Sequence, residues 1–87
     1  MNIKSKEIRK EFKELAPQEA YERLNRYEMA SPYREIVIAT CIKRYDAFSS
    51  IKYLKEKHNI NLSYWTFVSK KKDALEMLQK CKEADSK

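Results

Sequence analysis

The side chains most able to do chemistry in this sequence are basic, and they are concentrated in one stretch. Between Ile36 and Lys72 stand Lys43, Arg44, Lys52, Lys55, Lys57, Lys70, Lys71 and Lys72, opposed only by Asp46 and Glu56. That excess of six positive charges equals the formal net charge of the whole chain. The segments on either side nearly balance, at +1 before Ile36 and −1 after Lys72. A helical surface with no polyanion to meet more often mixes signs, so a localised excess is the footprint expected of phosphate contact.

Other chemistries find little support. His58 is the only histidine, and no carboxylate or cysteine stands at a metal-ligand spacing from it. It reads as a residue at a helix end, with no metal and no acid–base partner. The chain has no glycine, so no Gly-rich loop can cradle a nucleotide. Cys41 and Cys81 fall on apolar stripes and read as reduced, semi-buried thiols of a cytoplasmic protein. The six tyrosines do not follow the pattern of paired sheet aromatics in single-strand RNA binders. The sequence therefore predicts no enzyme active site, no cofactor and no small-molecule ligand.

Eighty-seven residues, 43% hydrophobic and 37% charged, make one globular domain with a modest core. Average usage would supply roughly six glycines. Without them, hairpins lose the positive-φ residue their tight turns need, and helices joined by short corners are favoured. The expectation is an all-α bundle of about five helices. No apolar run is long enough to cross a membrane, and the opening residues lack the apolar core of a secretory signal.

Ile8, Phe12 and Leu15 share one face of a first helix from about Ile3 to Leu15. Ala16-Pro17 ends it, and Pro17 opens a second helix with Ala20, Leu24 and Tyr27 inward. Ser31 is expected to cap a third helix, with Pro32 in its first turn. That helix, Tyr33 to Tyr45, carries the stripe Ile38, Ile42 and Tyr45, widened by Val37 and Cys41, and should be central. Its β-branched run also suits a strand, but nothing else in the chain could pair with one. Asp46 should cap a fourth helix bearing Ala47, Ile51, Leu54 and His58, and Asn59 should close it in a left-handed conformation. Ile60 lies alone in the turn. Asn61 or Ser63 then caps a fifth helix, with Trp65, Val68 and Leu75 inward and a second stripe of Ala74, Leu78 and Cys81.

The fourth and fifth helices have the ingredients of a helix-turn-helix: small residues Ala47 and Ser50 toward the partner helix, an aliphatic plug at Ile60, and a polar cap opening the second helix. Residues 46–72 resemble the helix-turn-helix DNA-binding superfamily, in the style of small prokaryotic, archaeal or phage regulators. Two features depart from the pattern: the turn glycine is absent, and Leu62 and Phe67 are apolar for a groove-facing surface. The resemblance implies double-stranded DNA as partner and a role in transcription regulation. Lys43 and Arg44 would then grip phosphate from outside the groove, with Lys52 and Lys55 where the fourth helix crosses the backbone. Ser63, Tyr64, Thr66 and Phe67 would meet base edges, and Lys70 and Lys71 further phosphates. Tyr53 and Tyr64 are also compatible with core positions.

A single unit of this size makes few base contacts, which favours a homodimer. Its seam is expected along Ala74, Leu75, Leu78 and Cys81, beside Met77, with Ile8, Phe12 and Leu15 as the competing face. The alternative function is a helical protein-interaction module, an inhibitor or adaptor docking on an acidic partner.

Overall fold

The computed structural model describes residues 3–85. Among the described residues there are five α-helices and no strand: α1 (Ile3–Glu14), α2 (Pro17–Tyr27), α3 (Tyr33–Val37), α4 (Ala47–His58) and α5 (Tyr64–Asp85). A π-helical turn, Ile38–Ile42, continues α3. The all-α bundle expected from composition is the observed architecture. At 22 residues α5 is about 33 Å long, close to the 36 Å maximum extent of the molecule. It forms a spine against which α1, α2, α3 and α4 all pack.

Local chemistry sets the helix ends. Ala16 is extended (φ −61°, ψ 143°), as a residue before proline must be, and Pro17 takes the first helical position where its missing N–H costs nothing. Glu28 closes α2 in the left-handed region, its N–H donating to the Asn25 carbonyl. Ser31 is not the cap of α3. Pro32 holds that position, and the first turn is secured by the backbone, Arg34 N–H to Ala30 carbonyl and Ile36 N–H to Pro32 carbonyl.

The central segment is a helix, not a strand, but it is shorter than expected. Its α part gives way at Ile38, where the Lys43 N–H reaches back five residues to the Ile38 carbonyl. Thr40 contributes by donating its hydroxyl to the Ile36 carbonyl at 2.7 Å, a bond that competes with the helical ladder. The widened turn ends at Ile42, so Tyr45 lies beyond the helix and is exposed, rather than completing an inward stripe. Every residue from Glu35 to Cys41 is buried, as befits a helix enclosed on all sides. Glu35 is the costly member: Arg34 Nη1 lies 3.8 Å from one carboxylate oxygen, and the other has no hydrogen-bond partner.

The core joins Ile8 and Phe12 of α1, Ala20 and Leu24 of α2, Ile36 and Val37 of α3, Leu54 of α4, and Phe67, Ala74, Leu75 and Leu78 of α5. Two expectations fail here. Phe67, assigned to the outer face, is 0% exposed, and Trp65, assigned to the core, is 78% exposed. The two are separated by about 200° around a helix, so only one can face inward. The long inner stripe through Ala74 and Leu78 selects Phe67. The seam expected to join two copies is also spent: Ala74, Leu75 and Leu78 are buried within one chain, as are Ile8 and Phe12 of the competing face.

Candidate nucleic-acid interface

Asp46 caps α4: its Oδ1 accepts the Ser49 N–H at 2.8 Å. That bond favours the ionised carboxylate and holds its pKa below the ordinary 3.8. At the other end Asn59 adopts the left-handed conformation (φ 55°), and the Leu54 carbonyl accepts N–H groups from both Asn59 and Ile60. Ile60 is partly buried against the core, and Ser50 is buried. Ser63, not Asn61, caps α5, its Oγ accepting the Thr66 N–H at 3.3 Å. The pair α4–α5 is thus held at both ends of its turn by the expected residues.

A depressed carboxylate pKa makes the α4 cap pH-dependent in a fixed direction. The stabilisation from the ionised cap is complete above the unfolded value near 3.8 and is lost as pH falls through the lower folded value. Asp46→Asn keeps a neutral cap, so its melting temperature is expected to fall less than the parent's between pH 5 and pH 3. Parallel acid slopes in thermal melts would assign the parent's acid sensitivity elsewhere.

The ten expected contact residues do not share one face. Lys52, Lys55, Ser63, Tyr64 and Thr66 are exposed around the α4–turn–α5 corner. Ser63 and Thr66 are partly occupied with each other, since the Ser63 hydroxyl donates to Thr66 Oγ1 at 2.8 Å. Lys43 is exposed with its ammonium 5.5 Å from the Tyr53 ring centre, and Tyr53 is half-buried against the core. Lys70 is half-buried, 5.4 Å from the ring centre of Tyr33. Phe67 is lost to the core and meets no ligand. Lys71 is half-buried, its ammonium 5.9 Å from the Phe67 ring centre. Burial, with like charge from Arg9 and Lys13, pushes its pKa below that of a free lysine.

Comparison with known proteins gives no lead. No family model matches the chain, and neither a curated protein nor a solved structure matches it significantly.

What the structure adds is a second basic flank. Arg9 and Lys13, one turn apart on α1, act electrostatically on both Lys71 and the buried Cys41 thiol. Burial raises the Cys41 pKa, while the Thr40 hydroxyl and these three cations pull it the other way. Arg44 joins them by donating to the Lys13 carbonyl from a left-handed backbone (φ 60°). Ion pairs among the described residues engage Arg23, Arg26, Arg34 and Lys82, and none engages a basic residue between 43 and 72.

Sequence reasoning also missed Phe48 and Trp65 as surface residues. His58, at the end of α4, lies with its Nε2 3.1 Å from the Tyr53 hydroxyl. Among the described residues, no helix is long and apolar enough to cross a membrane.

Proposed function

We propose that the protein binds double-stranded DNA through α4, its turn and α5, used as a helix-turn-helix, and acts in transcription regulation. The observation that carries this reading is that, among the described residues, no basic residue between 43 and 72 makes an ion pair, while acidic side chains pair elsewhere in the same molecule. Cations left without carboxylate partners on one part of a small domain are matched by a regularly charged polyanion. Lys52 and Lys55, exposed on α4, are the phosphate contacts. Lys43 and Arg44, at its approach, extend the track, and Arg9 and Lys13 supply the second flank. A homodimer, if formed, needs a surface other than the two apolar stripes already buried in each chain.

The test is duplex binding as a function of salt. The logarithm of affinity is expected to fall steeply with the logarithm of salt, by about 0.9 per phosphate neutralised. Lys52→Ala with Lys55→Ala is expected to reduce that slope by about two contacts' worth and leave the fold intact. A salt-independent affinity in the parent overturns the reading.

The exposed rings of Phe48 and Trp65 favour a second reading, docking on an acidic protein. That partner would also be salt-sensitive, but duplex DNA would not compete for it.

A further inference from the structure

Phe48, Tyr64 and Trp65 form a continuous ring cluster on the surface, 74%, 41% and 78% exposed. Tyr64 is the middle member. Its face stacks on Phe48, with centroids 5.5 Å apart and planes inclined by 25°, and it meets Trp65 edge to face at 5.1 Å. All three stand in the first turn of a helix, α4 or α5, where the two elements meet. Soluble domains rarely leave such rings together in water without a partner.

The surroundings say what kind of partner. One and two turns beyond Phe48, at i+4 and i+7, α4 carries Lys52 and Lys55. The same steps from Trp65 along α5 reach Ser69 and Lys72. Asp46, the nearest carboxylate in sequence, is engaged with the Ser49 N–H. Glu56 follows Lys52 by one turn and shares a shallow groove with it. Aromatic faces at the head of the Lys52–Lys55 row, with Lys72 two turns along α5, fit a ligand that is both flat and anionic, which is how nucleic acid with unstacked bases is held. An intact duplex offers no base face to a ring, because its own stacking occupies them all. The polar groups that would read base edges at the start of α5, Ser63 and Thr66, are bonded to each other.

We infer that Phe48, Tyr64 and Trp65 are a stacking platform for unpaired bases, so that the preferred target is DNA in which paired and unpaired strands meet. This rests on the DNA reading above and makes it more specific. The lysines grip the paired backbone and the rings take a base that the duplex has released.

The experiment compares a fully paired duplex with the same duplex carrying a short central bubble, at one salt concentration. The parent is expected to bind the bubble about tenfold more tightly, the effect of roughly one stacked base. Trp65→Ala and, independently, Phe48→Ala are expected to bring the two affinities to parity, with the loss falling mainly on the bubble. Trp65 is the only tryptophan, so its fluorescence in the unmodified protein should be quenched by the bubble more than by the duplex. Equal affinities in the parent, or a preference that survives both variants, overturns the inference. So does a parent dimer that Trp65→Ala dissociates in light scattering, because the rings would then join two copies. Steep salt dependence on duplex without bubble preference removes this inference alone, and failure to bind any DNA removes both.

Discussion

Phe67→Ala is expected to unfold the protein or lower its melting temperature sharply, and Trp65→Ala to leave it nearly unchanged. Truncating a fully buried phenylalanine costs about 3–5 kcal/mol, from lost transfer energy and the cavity left behind. A domain of 87 residues has only about 4–13 kcal/mol of total stability. Phe67 is fully buried and belongs to the core cluster shared by all the helices, so little can collapse into its place. Trp65 is the larger ring but stands in solvent, where substitutions usually change stability by less than about 0.5 kcal/mol. Thermal melts of the two variants decide it. A severe loss in Trp65→Ala with a mild one in Phe67→Ala would rotate α5 by half a turn and return the tryptophan to the interior.

The structure shows why that register was hard to read. Outside the third helix, the helix ends are legible because their signals are local: Pro17 at a first turn, Asp46 and Ser63 as caps, Asn59 in place of glycine. Each involves atoms within a few residues, and each does what its chemistry suggests. The rotation of α5 is not local. Its opening turns offer two apolar choices, Trp65 and Phe67, which cannot both face inward. The decisive signal lay further along the helix. Stepping back from Ala74 by seven residues, or from Leu78 by eleven, lands on Phe67, whereas the Trp65 side continues through Ser69 and Lys72. Period outranks bulk.

The same distinction governs the basic surface. A charge excess between 43 and 72 was visible as composition, and so was the identity of its lysines. That Arg9 and Lys13 join it depends on α1 lying against α5 and the π-helical turn, a packing choice no local pattern encodes. Nor could spacing foresee the ring cluster. Phe48 and Tyr64 belong to different helices, and only the tight turn of residues 59–63 brings their faces together.

Leu78→Glu is expected to abolish folding at neutral pH rather than to release a folded monomer. The apolar stripe of Ala74, Leu75 and Leu78 has the look of a seam between copies, and a carboxylate placed on an exposed seam would merely separate them. Here Leu78 is fully buried, with α1, α2 and α3 around the same helix. A carboxyl at that depth must either ionise without solvent or stay protonated at a pKa raised by about 3–5 units. At about 1.4 kcal/mol per unit, and with only about 2.7 units between pH 7 and the ordinary glutamate value, that penalty is about 4 kcal/mol at neutral pH before the lost leucine packing, about 2–5 kcal/mol, is added. Together they rival the whole stability of a domain this small. The sign of the pH effect follows. The folded-state pKa lies above the unfolded one, so folding regains ground as pH falls through the raised value toward the ordinary glutamate range. Met77→Glu, on the exposed side of the same turn, is the control and is expected to remain folded at neutral pH. Circular dichroism and light scattering on both variants separate the alternatives. A Leu78→Glu protein that is folded, and differs from the parent only in mass, would put Leu78 back on a surface between two copies.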